Sequence, residues 1–531
     1  MEPYSYTWLL VLGLVVAFAD GFGIGANDVA NSFSTSVGSR SLTLRQACTI
    51  AFFTEFLGSF LLGSKTTETI RGDILNVDLF ETQPEILMLC MVCALFGSAT
   101  WVIFASSKGW PVSTTHSIVG GIIGVGIVAF GPEAVDWSYD GVAKIVTSWF
   151  ISPIAAGLIA AVIFSATKYF VLAYQDTSFQ RGLVAVPVYF GITTAINVLF
   201  LIYKGSVGLN LDKVPSHVIA PIVFGITLVV SAFSYFFYAQ WLRRKILGNE
   251  RALKWYHIFI IPFIGPHHLN DYENDVTLGG TSGISEKSSK YSKDTMDIVV
   301  EGKLSNDGSN TKKKSIFHKW FSLFNKFVQS GLSKEVADYK ADIDRKMHDV
   351  ATKYDPDTEK LYSFLQVITA AFASFSHGSN DVANAVGPLA TIVLIYGTGT
   401  VDSSGKAPVP IWILALGGAA IDIGLIFYGY HVMRSLGNRI TYHSPARGFS
   451  MELGTSLTIL TASKLGLPVS TTHCITGATA AVGLCNGKWQ ALNWKLLAWC
   501  FFSWILTLPA AGGIAGLIFA FVTFAPKLNP I

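Results

Sequence analysis

Stretches of about 20 residues with almost no charge recur along this chain, the length an α-helix needs to cross a bilayer core about 30 Å thick. They fall at 6–24, 46–63, 86–106, 112–131, 142–168, 183–203 and 217–241, and after a gap at 361–376, 383–396, 410–432, 449–465, 469–485 and 494–523. Charged residues make up 14% of the 531, against roughly 25% in an average soluble domain. A soluble enzyme is excluded, and the lipid bilayer is the first partner implied. The formal charge of +3 carries no basic stripe, so nucleic acid is not expected as a partner. All six cysteines lie in or beside apolar segments, which argues against a disulfide framework. Cys90 and Cys93 form a CxxC without a second ligand pair, and read as small apolar residues on a buried helix. The run Trp8 to Phe18 lacks a basic leading region and is taken as the first span.

Two membrane blocks, 1–242 and 361–531, flank a polar segment at 243–360 rich in Lys, Asp, Ser, Gly and Asn. That segment is expected to be solvated and partly disordered. Within it, Trp320 to Phe327 has the pattern of an amphipathic surface helix or of a packed one. Arg243, Arg244 and Lys245 close the first block and place the loop on the cytoplasmic side by the positive-inside rule.

The blocks repeat each other. Gly25-Ala26-Asn27-Asp28-Val29-Ala30-Asn31-Ser32 near the start returns as Gly378-Ser379-Asn380-Asp381-Val382-Ala383-Asn384-Ala385. Pro111-Val112-Ser113-Thr114-Thr115-His116 returns letter for letter as Pro468-Val469-Ser470-Thr471-Thr472-His473. The two motifs are separated by about 84 positions in one block and about 88 in the other. Downstream, Ser148-Trp149 with Pro153 and Gly157 is echoed by Ser503-Trp504 with Pro509 and Gly512. Duplicated membrane halves whose helices break at the repeat interface are a common plan for secondary transporters. The segments 112–131 and 469–485 each follow a proline and are glycine-rich, which suits re-entrant helices that start inside the protein.

Each motif has its own chemistry. In N-D-x-x-N, both amides share a helix face beside the carboxylate, and the preceding glycine permits local unwinding that exposes carbonyls. Carboxylate, amide and carbonyl oxygens form a hard-cation site suited to Na⁺. The alternative is a polar network pinning two helices. In P-V-S-T-T-H, hydroxyls and unpaired backbone N–H groups gather at a helix N-terminus, where the macrodipole supplies about half a positive charge. That is an anion cradle, although a single copy would also serve as an ordinary N-cap. Neither motif contains Lys or Arg, the usual clamps for oxyanions. A multiply charged anion held by hydroxyls alone would be under-neutralised, and cations at Asp28 and Asp381 would supply the missing charge. Anion and cation would then stabilise each other's binding. Glu55, Glu452 and Asp422 lie within spans and stand between coupling roles and hydrogen-bonded structural carboxyls. His377 could titrate or bond the adjacent loop, and His116 and His473 lack the further ligands of a metal site.

These residues resemble the inorganic phosphate transporter family, in its fungal sodium–phosphate symporter branch. The likeness rests on both copies of each motif and on Ser444-Pro445-Ala446-Arg447-Gly448-Phe449-Ser450-Met451-Glu452-Leu453, and spans nearly everything but the central loop. It implies an all-α polytopic membrane protein of about twelve transmembrane helices, with two inverted repeats and two re-entrant helical hairpins. It also implies uptake of inorganic phosphate with Na⁺, some relatives using H⁺, and no resident cofactor. By motif position, Asn27, Asp28, Asn31, Asn380, Asp381 and Asn384 would hold sodium ions. Ser113, Thr114, Thr115, Ser470, Thr471 and Thr472 would hold phosphate. Glu55, Glu452 and His377 match positions implicated in coupling or gating, and Ser379 stands where the family usually has Ala. A plasma-membrane location with both termini outside is implied too, and a homodimer is one assembly this allows. A symporter needs no catalytic group. Two other classes compete with it: a receptor that binds phosphate without moving it, and an anion channel.

Overall fold

Exposed Phe150, Ile151, Ile154, Leu158 and Val162 form one face of a single helix whose other face buries Ser148, Ser152 and Trp149. This reversal of the soluble pattern, apolar outside and hydroxyls inside, is what a lipid solvent demands. The computed structural model describes residues 1–64, 66–67, 70, 74–139, 141–204, 215–248, 250, 253–263, 342–402, 407–436 and 439–525. Thr281 to Asn310 and Trp320 to Phe327 lie outside them.

The first repeat holds α1 (Thr7–Asn27), α2 (Val29–Gly38), α3 (Leu44–Leu62), α4 (Pro84–Ser107), α5 (Thr114–Phe130) and α6 (Val142–Thr167). Next come α7 (Ser178–Lys204), α8 (Ser216–Phe233), α9 (Ala239–Ile246) and, late in the central segment, α10 (Asp342–Val350). The second repeat is α11 (Pro356–Thr398), α12 (Ile411–Leu436), α13 (Pro445–Lys464), α14 (Thr471–Leu484) and α15 (Trp494–Phe524). Eight helices among the described residues are long and apolar enough to cross a membrane. By contrast α14, at 14 residues, rises only about 21 Å, too short to span. It and α5 are the segments expected to be re-entrant. The described residues between 240 and 263 belong to a separate unit, where Arg244 and Glu250 pair at 2.7 Å and Trp255–Phe263 makes a 3₁₀ run.

Local chemistry sets the helix starts. Thr43 and Gln46 close a capping box on α3, and Asp355 caps α11 through Thr358 N, with Pro356 in the first turn. The apolar windows 361–376 and 383–396 prove to be one helix, α11, of 43 residues. A polar motif lowers the local hydropathy, yet its side chains find partners on neighbouring helices, so the backbone ladder continues. The unwinding expected at the glycines is therefore absent from the second copy. In the first copy α1 gives way to α2 at Asp28, whose N–H still reaches Ile24 O at 2.8 Å.

The repeats interlock rather than stand side by side. α5 packs on α15 and α14 on α6; α1 packs on α12 and α11 on α3. Each half thus completes the other. Glycine permits two of these crossings: a Cβ on Gly25 would lie 1.8 Å from Ile421 O, and one on Gly378 would lie 2.3 Å from Glu55 O. Cys90 and Cys93 are buried, unbridged residues of α4, as expected.

Candidate functional site

Both proline-led motifs begin a helix. Ser113 caps α5 by accepting from His116 N at 3.3 Å, and Ser470 caps α14 by accepting from His473 N at 3.3 Å. The segments ahead of these caps are clamped by the first asparagine of each acidic motif. Asn27 Nδ2 donates to Trp110 O (3.0 Å) and Ser106 Oγ (2.9 Å), while its Oδ1 accepts from Val112 N (3.1 Å). Asn380 Nδ2 donates to Val469 O (2.9 Å) and Asp381 Oδ1 (2.6 Å), and its Oδ1 accepts from Ser463 Oγ (3.3 Å). These two amides are engaged with the chain, whereas Asn31 Oδ1 is buried with no donor facing it and remains available as an oxygen ligand.

The threonines join the two motif types. Thr114 Oγ1 donates to Asp28 Oδ2 at 2.5 Å, and Thr471 Oγ1 to Asp381 Oδ2 at 2.8 Å. Other bonds cross between halves. Asn384 Nδ2 reaches Thr114 Oγ1 (3.2 Å) and Thr115 Oγ1 (3.3 Å); Asn31 Nδ2 reaches Thr472 Oγ1 (2.9 Å), which lies 3.1 Å from Asp28 Oδ1. All twelve of the motif residues expected to bind ions or anion are buried.

Behind Asp381 stands a relay with no counterpart among the described residues of the other repeat. His377 Nδ1 lies 2.7 Å from Glu55 Oε2, and its Nε2 lies 2.9 Å from Asp381 Oδ2. Ser374 Oγ donates to Glu55 Oε1 at 2.7 Å. Oxygen and nitrogen atoms of Asp28, His377 and Asp381 come within 4.8 Å of one another, close enough to share one cation. Glu452 is not part of this cluster. It accepts from Thr35 (2.5 Å), Ser36 (2.6 Å), Gln366 (3.2 Å) and Thr369 (2.5 Å), a separate network between α2, α11 and α13. Nothing in the sequence pattern pointed to those four partners. Ser379 donates to Ser376 O at 2.8 Å, so its proton goes to its own helix.

The third echoed pair also acts across the repeats. Ser148 Oγ reaches Pro468 O and Ser503 Oγ reaches Pro111 O, each at 3.2 Å. His116 lies against Trp149 with ring centroids 3.7 Å apart and planes tilted by 37°, and His473 against Trp504 at 3.9 Å and 31°. His116 Nδ1 faces Trp504 O at 3.3 Å, and His473 Nδ1 faces Trp149 O at 3.1 Å. The histidines brace the cradle helices, and the spacing of Ser-Trp from P-V-S-T-T-H was the available signal.

Among the described residues, Arg447 is the buried side chain of Lys or Arg type. It is held by Thr352 O (2.7 Å), Asn486 Oδ1 (2.7 Å) and Ser444 Oγ (3.4 Å), and by the rings of Phe164, Tyr354 and Tyr442. None of these belongs to the cradle. The hydroxyls of the two helix N-termini therefore meet Asp28 and Asp381, with His377 and Glu55 behind Asp381, and among the described residues no guanidinium or ammonium joins them.

Residues 24–515 match the phosphate transporter family. The chain is 38% identical to the phosphate-repressible phosphate permease pho-4 of Neurospora crassa, over 99% of each chain. It is 32% identical to sodium-dependent phosphate transporter 2 of Homo sapiens, again over 99% of each. A solved structure titled as the sodium-dependent phosphate transporter superposes with a TM-score of 0.67 at 28% identity, covering 98% of this chain and 100% of that one.

Proposed function

The chain belongs to the phosphate transporter family, and from that membership we propose that it is a multi-pass symporter that carries inorganic phosphate into the cell with Na⁺. One observation carries the reading: two helix N-termini bearing hydroxyls converge on paired aspartates with no fixed cation among them. Thr114, Thr115, Thr471 and Thr472, with Ser113 and Ser470 and the N–H groups behind them, hold the phosphate. Asp28, Asp381, Asn31 and Asn384 hold Na⁺, with Asn27 and Asn380 fixing the loops that join the two sites.

A threonine hydroxyl has one proton to donate. Donated to Asp28 or Asp381, it is spent on the carboxylate. A Na⁺ that takes those carboxylate oxygens releases the hydroxyl toward phosphate, so the cation both neutralises the anion and frees its ligands. This is the reciprocal linkage that coupled uptake requires. Glu55, His377 and Glu452 serve coupling: the first two through Asp381, the last by tying α2 to α11 and α13. The site acts by binding and movement, not by covalent chemistry. We assign the central segment to the cytoplasmic side, because Arg243, Arg244 and Lys245 close α9, and, from the family likeness, the protein to the plasma membrane with both termini outside.

Reconstitution tests this directly. Proteoliposomes should accumulate labelled phosphate when an inward Na⁺ gradient is imposed and not when choline replaces Na⁺. Saturable phosphate binding without accumulation would overturn the reading in favour of a receptor, and Na⁺-independent flux would do so in favour of a channel.

A further inference from the structure

Asp20 lies in α1, 1% exposed, and apart from the approach of the Ser98 hydroxyl neither of its carboxylate oxygens has a hydrogen-bond partner. A buried carboxylate in that condition is costly and calls for a compensating group. It is seven residues before Asn27, a separation that returns to nearly the same helix face. The seam on that face is well marked. Asn27 meets Ser106 of α4 at 2.9 Å, and two helical turns back Asp20 faces Ser98 of the same helix. Ser98 is fully buried, and its Oγ has no partner besides the Asp20 carboxylate it faces. Beside it, Ser117 of α5 donates to Ser98 O at 3.3 Å. Asp20 is within electrostatic reach of Asp28.

We propose that Asp20 and Ser98 form a further Na⁺ site on the α1–α4 seam, staged about two helical turns from Asp28. Its ligands are the two carboxylate oxygens and the Ser98 hydroxyl, with water completing the shell of a hard cation. The site belongs to one repeat. Aligning Gly25 with Gly378 makes Ala373 the residue of the second repeat that corresponds to Asp20. The seam leads from Ser98 to Ser106 and Asn27, so an ion here is delivered next to the Asp28 carboxylate.

The inference rests on the Na⁺ coupling proposed above, and its test separates the two. Bound ²²Na⁺ is measured on the purified full-length protein without phosphate, with choline holding ionic strength, for the wild type, Asp20→Asn and Asp28→Asn. Asp20→Asn should bind fewer ions per chain than the wild type, while Asp28→Asn keeps the ion at Asp20. In proteoliposomes, Asp20→Asn should raise the Na⁺ concentration for half-maximal uptake about tenfold and leave half-saturation by phosphate at saturating Na⁺ unchanged. Ser98→Ala, which leaves the carboxylate in place, should weaken Na⁺ in the same direction and serves if Asp20→Asn does not fold. Unaltered ²²Na⁺ binding in both variants would overturn the proposal, leaving Asp20 solvated by water alone. A change confined to the pH dependence of uptake would also overturn it, making Asp20 a proton carrier. Failure of wild-type uptake would instead strike the symport reading, since the binding measurement does not depend on transport.

Discussion

The two aspartates at the centre of the molecule occupy matching places in matching repeats, yet their surroundings differ. Asp28 receives hydroxyls from Thr114 of its own half and Thr472 of the other. Asp381 receives Thr471 and the Asn380 amide, and lies against His377, itself joined to Glu55. The glycine crossings show what stands at the corresponding places in the first repeat: Ile24 before Gly25, and Ile421 facing it. The duplicated motif thus carries one carboxylate that accepts from hydroxyls and another bonded directly to an ionisable relay. Duplication fixed the threonine-led helix starts; divergence around them made the surroundings of the two aspartates unequal.

The largest effects should come from the aspartates themselves. Asp28→Asn and Asp381→Asn should each weaken Na⁺ activation of phosphate uptake by on the order of 100-fold, read from uptake against Na⁺ concentration. Equal losses with equal pH profiles would break the inequality argued here. Next in size is the backbone crossing. Gly25→Ala and Gly378→Ala each force a methyl onto a carbonyl, and should destabilise the protein by about 1–3 kcal/mol or more, measured as loss of folded protein on size exclusion. Gly25→Ala should be the worse, because its Cβ would come nearer the opposing oxygen. The relay sharpens the contrast further. Glu55→Gln and His377→Ala should be non-additive by about 0.5–3 kcal/mol in a double-mutant cycle on uptake rate, whereas additive losses would show that the contact carries no coupling. The smallest effects fall on the caps, where the halves are alike. Ser113→Ala and Ser470→Ala should each cost about 1 kcal/mol and raise half-saturation by phosphate to similar extents. A difference of tenfold between them would show that phosphate leans on one helix.

Much of this was readable in advance, and the reason is local. Length without charge gives spans, a proline followed by serine gives a helix start, and a second copy of N-D-x-x-N with P-V-S-T-T-H pairs the two chemistries. The partners of Glu452 were not readable, because Thr35, Ser36, Gln366 and Thr369 are ordinary hydroxyl and amide residues far away in sequence. The roles of Asn27 and Asn380 shifted for the same reason: in sequence they stand beside an aspartate, and in space they hold the loop before a cradle. In the sequence Asp20 is only the polar residue that ends the first apolar run, and burial beside Ser98 gives it further meaning.

By itself, the order of residues determined the membrane environment, the duplication and the two kinds of ligand group, since each depends on composition or spacing within a few helical turns. Tertiary structure alone decided that Thr472 would serve Asp28, that Asn384 would serve Thr114, and that Glu55 would reach His377. Those pairings join residues hundreds of positions apart. They follow from which helices glycine allows to touch, and a repeat written twice in the sequence does not say how its copies interlock.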